Sequence, residues 1–135
     1  MAAHPHRHIH LIAGAGIALL LIVGIIHFID APSSFGDATY KGLLFIADGL
    51  AAGVAAWGIY RSARTWGWSL GFIITAGAFI MYIYSRTIGL PGIDVDTWDE
   101  PLGTLSLIAE GMFMLLYVAA MRLGVEEVKL SLEIS

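Results

Sequence analysis

The chain predicts an all-α integral membrane four-helix bundle, on three observations. Hydrophobic residues make up 58% of its 135 positions and charged residues 13%, with a mean hydropathy of +0.79, far from the composition of a soluble domain. Four apolar stretches, at about 9–29, 42–60, 66–85 and 101–122, each come close to the ~20 residues that carry a helix across a ~30 Å hydrocarbon core. The segments between them are short, which leaves one transmembrane domain over residues 1–135 and no separate soluble catalytic domain. Any chemistry sits among the helices or at their ends.

Charge orients the spans. Arg7, Arg61, Arg64, Arg122 and Lys129 flank the first and last stretches and the second loop, whereas Asp30, Asp37, Asp94, Asp96, Asp99 and Glu100 crowd the first and third loops. Basic residues are enriched on the cytoplasmic side, so both termini are expected there, in the cell membrane. Lys41 and Arg86 are the exceptions to this pattern. The chain has no cysteine, which removes disulfides, thiolate metal sites and thiol redox chemistry. No basic patch with interleaved aromatics points to nucleic acid.

The head places His4, His6 and His8 at alternate positions, with His10 just inside the first span. Imidazoles so spaced suit Zn, Cu or Ni, and the plainer reading is a solvated anchor at the interface. The first span is expected to be retained rather than cleaved as a signal peptide. It is longer than an apolar signal core, and the chain then reads His27-Phe28-Ile29-Asp30, with no small-residue cleavage site. Its glycines and alanines let neighbouring helices approach closely. A turn is expected through Ala31-Pro32-Ser33-Ser34, with Ser34-x-x-Asp37 as a capping box leading into the second span.

The second span carries Gly49, Ala52, Gly53, Ala56 and Gly58, a small-residue stripe that suits a central packing face. The connection after Arg61 is short enough to make the second and third helices antiparallel neighbours. Trp57, Tyr60, Trp66 and Trp68 gather there as interfacial anchors. The third span ends in Tyr82, Tyr84, Ser85 and Arg86, and Leu90-Pro91-Gly92 signals a turn. Thr97-x-x-Glu100 followed by Pro101 combines a capping box with a proline at the first helical position, a well-marked start for the fourth span. The tail, 125–135, alternates apolar and polar residues from Val128 to Ser135. It reads as a short strand or a disordered segment, and as a strand it would need a partner.

One pentapeptide recurs. Ile46-Ala47-Asp48-Gly49-Leu50 matches Ile108-Ala109-Glu110-Gly111-Met112, and each copy follows a proline, a Thr-aromatic pair and a glycine. Five residues before the prolines, Pro32 and Pro91, stand His27 and Arg86. The pattern predicts two tandem helical hairpins related by duplication about an axis along the membrane normal. Asp48 and Glu110 then sit in the outer half of the bilayer beside His27 and Arg86, in one outward-facing site. Ser106 lies one turn from Glu110 and Tyr82 one turn from Arg86, which supplies polar neighbours.

Charged groups in a bilayer cost ~3 kcal/mol or more on insertion scales, so they are usually paired and face the bundle or a pathway. Four readings follow. Arg86–Glu110 and His27–Asp48 pair simply as salt bridges; His27, Asp48 and Glu110 hold a divalent metal ion; two adjacent carboxylates serve a proton or ion pathway; or the quartet with Tyr82 and Ser106 binds a small polar ligand. Intrachain bis-histidine haem ligation fails, because His10 and His27 are about 25 Å apart along one helix. Scattered methionines read as packing. No nucleophile motif or nucleotide fingerprint occurs. The sequence therefore favours a non-enzymatic binding protein in contact with the lipid bilayer, with a structural or accessory subunit as the alternative and a metal-dependent membrane enzyme as a remote one. Self-association or association with other membrane subunits is expected.

His27-Phe28-x-x-Ala31-Pro32, Ser85-Arg86-Thr87-x-Gly89-Leu90-Pro91-Gly92, and Trp98 followed by Gly103-x-x-Ser106-Leu107-x-x-Glu110 resemble a family of small four-span prokaryotic membrane proteins. The likeness covers most of residues 27–111. It implies the four-span fold and brings no activity with it.

Overall fold

The computed structural model describes residues 5–61 and 66–134. Its elements are four α-helices: α1, Pro5–Asp37; α2, Thr39–Tyr60; α3, Trp66–Thr87; and α4, Pro101–Ile134. Each has a segment long and apolar enough to cross a membrane, over His8–Asp37, Thr39–Tyr60, Trp66–Thr87 and Pro101–Gly124. Large apolar side chains such as Leu11, Ile25, Leu50, Ile80 and Leu115 point outward, as expected of surfaces solvated by lipid chains. His4, Arg64 and Ser135 lie outside the described residues, as do the side chains of His6, Arg7 and Lys129.

Three boundaries differ from the sequence reading. α1 does not turn at Pro32 but runs through it to Asp37. Proline removes one helical hydrogen bond, and in a membrane helix neighbouring groups re-satisfy the backbone. Just past the proline, Ser33 Oγ donates to the Asp30 carbonyl at 2.8 Å; the carbonyl that Pro32 leaves without an amide is that of Phe28. The break comes at Ala38, which is extended and carries no side-chain cap, so the Ser34/Asp37 capping box does not form and Asp37 binds Lys41 instead, at 2.7 Å. At the other end of the chain, α4 continues through 125–134 as helix rather than turning into a strand. Among the described residues the tail's alternation has no sheet edge to pair with, whereas the helix supplies its own hydrogen bonds. At 34 residues, α4 is about 50 Å long, well beyond the hydrocarbon core.

α1 packs on α2 and α4, and α3 packs on the same two. α2 and α4 are therefore flanked by α1 and α3 in a four-cornered bundle. The α1–α2 seam is close because small residues meet: a Cβ built on Gly24 would lie 3.2 Å from the carbonyl oxygen of Gly49.

The half of the bundle nearest the α2–α3 connection is filled. Leu20, Ala55, Ala56, Ile59, Trp68 and Phe113 form its buried core. Trp68 stacks on Phe113 with ring centroids 5.5 Å apart, and Phe72 stacks on Tyr117 at 4.6 Å. Gly67 lets α3 lie against α2, since a Cβ there would come 2.7 Å from the Ile59 backbone nitrogen. The other half holds the single-residue α1–α2 turn and the 88–100 loop, and it is not filled.

Candidate functional site

In that second half a cavity of about 760 Å³ lies among all four helices and the α3–α4 loop. His27 on α1, Asp48 on α2, Tyr82 and Arg86 on α3, and Ser106 and Glu110 on α4 all line it. Asp48 stands nine residues past Thr39 and Glu110 nine past Pro101, so each lies about 14 Å along its helix from the loop end.

The deep end is built from His27, Asp48, Ser106 and Glu110. His27 is 7% exposed, and its Nδ1 is 2.9 Å from the Val23 carbonyl one turn back. A carbonyl only accepts, so Nδ1 carries the proton of that bond. In the neutral ring Nε2 then presents a lone pair, and it faces Oδ2 of Asp48 at 3.2 Å. The two atoms are within ion-pair distance, yet Oδ2 has no aligned hydrogen bond. Phe45 lies beside the imidazole, ring centroids 5.0 Å apart. Glu110 is 2% exposed. Ser106 donates to its Oε1 at 2.7 Å, while its Oε2 has no partner.

The shallow end is a charge network that the sequence reading did not assemble. Arg86 does not pair with Glu110. Its Nη2 donates to Glu100, its Nη1 donates to Ser85 Oγ at 2.7 Å and lies 3.5 Å from Asp96, and its guanidinium sits 3.8 Å over the Tyr82 ring. The α3–α4 loop places acids at the arginine's own depth, whereas Glu110 is ten residues, about 15 Å, further along α4. Lys41 bridges Asp37 and Asp96. The signal for these partners was present in the sequence, since Lys41 and Arg86 were the two cations that broke the charge pattern of acidic loops.

The loop is held down at several points. Gly89 and Gly92 have φ of 90° and 75°, which favours glycine at both. Leu90 and Ile93 form an isolated bridge. Tyr40 Oη donates to the Pro91 carbonyl at 2.8 Å, and the Asp96 amide donates to the Ser85 carbonyl at 2.9 Å. At the rim, hydrogen bonds from the Thr97 side chain and from its own backbone amide hold the Asp99 carboxyl below the usual range. Pro101 opens α4 as expected, with the Thr104 amide donating to the Glu100 carbonyl at 3.0 Å.

Among the described residues, no three His, Asp or Glu side chains come together in a way that could hold a metal ion. The expected His27, Asp48 and Glu110 ligand set is therefore not assembled at coordination distance. Its members share a cavity, and Glu110 lies within electrostatic range of both His27 and Asp48.

Four buried side-chain atoms among the described residues have no hydrogen-bond partner within the protein: Asp48 Oδ2, Tyr82 Oη, Arg86 Nε and Glu110 Oε2. Every one belongs to a cavity-lining residue. Leaving such a group bare costs about 1–3 kcal/mol, so their concentration at one place makes this cavity the candidate site. No protein-family model matches the chain, and no curated protein or solved structure matches it.

Proposed function

We propose that this chain is a non-enzymatic binding protein of the cell membrane, with cytoplasmic termini, whose cavity faces outward and takes a small polar or cationic ligand. The observation that carries the reading is the coincidence of the four unpartnered buried polar atoms with one cavity. Its volume of about 760 Å³ falls within the 300–1,000 Å³ range of small-molecule sites. The charge distribution supports the orientation, because the acidic loops lie at the cavity end and Arg61 at the other. The filled half of the bundle favours a binding pocket over a continuous pathway. The arrangement of α1–α2 and α3–α4 as successive hairpins suits the proposed duplication.

Two measurements test the reading. A single cysteine at Thr97, in a chain that has none of its own, is expected to react with a membrane-impermeant maleimide added to intact cells. Protection until the cells are opened would reverse the orientation. Asp48→Asn and Glu110→Gln are expected to leave the purified protein folded while changing ligand-dependent stability. A structural subunit behaves differently: there the substitutions lose the assembled protein itself.

A further inference from the structure

Resting on that reading, the chemistry of the lining narrows the ligand to one class. Seven Asp or Glu residues line the cavity against two fixed cations, Lys41 and Arg86. Both cations are already engaged at the shallow end, Lys41 by Asp37 and Asp96 and Arg86 by Asp96 and Glu100. The carboxylates of Asp48 and Glu110 lie deeper and have no such partner. An anion entering this space meets net negative charge, and a cation meets its complement.

The deep acceptors define what kind of cation. Asp48 Oδ2 and Glu110 Oε2 are buried oxygens without an aligned hydrogen bond, Glu110 is 2% exposed, and His27 Nε2 stands 3.2 Å from Asp48 Oδ2. They are not gathered closely enough to ligate a metal. Metal bonds to nitrogen and oxygen are about 2.0–2.6 Å long, whereas N–H···O bonds run about 2.9 Å, so a donor-bearing ammonium group fits a wider ring of acceptors than a bare ion does. A primary ammonium brings three N–H donors, enough to serve both carboxylates at once.

The walls define what the ammonium is attached to. Leu44 and Phe45 of α2 and Ile73, Ile74, Ala78 and Met81 of α3 line the same cavity. Leu44, Ile73 and Met81 are nevertheless 52%, 66% and 41% exposed, so the cavity is open between α2 and α3 on a face that the bilayer would cover. We infer that the cavity binds a primary amine carried on an apolar body, with the ammonium at His27, Asp48 and Glu110 and the apolar part against the α2–α3 wall. Tyr82 Oη and Arg86 Nε belong to a separate polar station. Tyr82 lies against Gly103, seven residues and about 10 Å before Glu110 on α4, beyond the reach of a compact headgroup bound at Glu110.

The test is calorimetric titration of the full chain in lipid nanodiscs with 2-phenylethylamine, protonated at neutral pH, beside three relatives of similar shape: its N,N,N-trimethyl derivative, 2-phenylethanol and 3-phenylpropionate. Zinc chloride is the inorganic control. The amine is expected to bind, its trimethyl derivative at least tenfold more weakly for want of N–H donors, and the alcohol, the acid and zinc not measurably. Glu110→Gln is expected to weaken amine binding at least tenfold. Gly77→Leu places bulk on the cavity lining where a Cβ meets nothing within 4 Å, so it is expected to block the site without disturbing the fold. Absence of amine binding, or amine binding unchanged in both variants, overturns the inference. If the amine fails but another probe binds in a Glu110-dependent way, the amine assignment falls and the cavity stands as a ligand site. If no probe binds, both fall.

Discussion

His27 Nε2 and Asp48 Oδ2 face one another at 3.2 Å across the α1–α2 seam, and in the neutral ring both are acceptors. A proton or another donor shared between them turns a repulsive contact into a bond. Asp48→Asn supplies that donor from its own amide and is expected to keep stability within about 1 kcal/mol of the parent. Asp48→Ala removes the oxygen with which the ring nitrogen would share that donor and is expected to cost about 1–3 kcal/mol. Thermal unfolding in a mild detergent distinguishes the two, and equal losses in both variants would remove the shared-donor account.

Ser106 is the one hydrogen-bond donor that the described protein offers to Glu110, at 2.7 Å. Ser106→Ala is expected to destabilise by about 1–3 kcal/mol, because it strips the remaining partner from a buried carboxylate. Combining it with Glu110→Leu should recover most of that loss, since apolar replacement of a buried polar pair is often near neutral. A double-mutant cycle of unfolding midpoints reads the coupling directly.

Arg86 ties the end of α3 to the loop and to the first residues of α4 through Glu100, Asp96 and Ser85. Arg86→Lys keeps the charge but loses the planar fork and the stacking on Tyr82. It is expected to cost about 1–2 kcal/mol, discounted because the Asp96 and Glu100 side chains are 37% and 45% exposed. Hydrogen exchange should rise across 88–100 while the α1–α2 seam stays protected. Uniform loosening of the bundle would show that the network is not local.

Two glycines separate close approach from empty space. A Cβ on Gly67 would come 2.7 Å from the Ile59 nitrogen and 2.8 Å from the Gly58 carbonyl carbon, both backbone atoms, whereas one on Gly14 meets nothing within 4 Å. Gly67→Ala is expected to cost about 1–3 kcal/mol by forcing α2 and α3 apart. Gly14→Ala should be neutral or slightly stabilising, by at most about 1 kcal/mol. Melting curves of the two variants side by side check the contrast.

The four apolar helices were legible because length and composition alone decide them. All six candidate residues, from His27 to Glu110, line one cavity, and helical periodicity with charge placement was enough to nominate them. The errors were about partners. The repeat matches Arg86 with Glu110, but the 88–100 loop brings Asp96 and Glu100 nearer, and no local pattern encodes how a loop folds back. Pro32 reads as a helix end in any soluble context, yet α1 passes through it because a helix in lipid has no water to take over its carbonyls. The strand-like tail fails for a related reason: alternation names a face, and a strand's face needs a neighbour that the described residues do not supply.

The stacked rings of Trp68 with Phe113 and Phe72 with Tyr117 fill one half of the bundle, and on the proposed reading that filling decides how a bound cation senses the membrane voltage. A monovalent charge held about 14 Å inside a ~30 Å core crosses roughly half of the field, worth about 1 kcal/mol per 100 mV. On the proposed reading, the packed rings among the described residues turn that work into occupancy rather than current. For a cation bound as proposed, polarising the membrane is then expected to change affinity about fivefold per 100 mV.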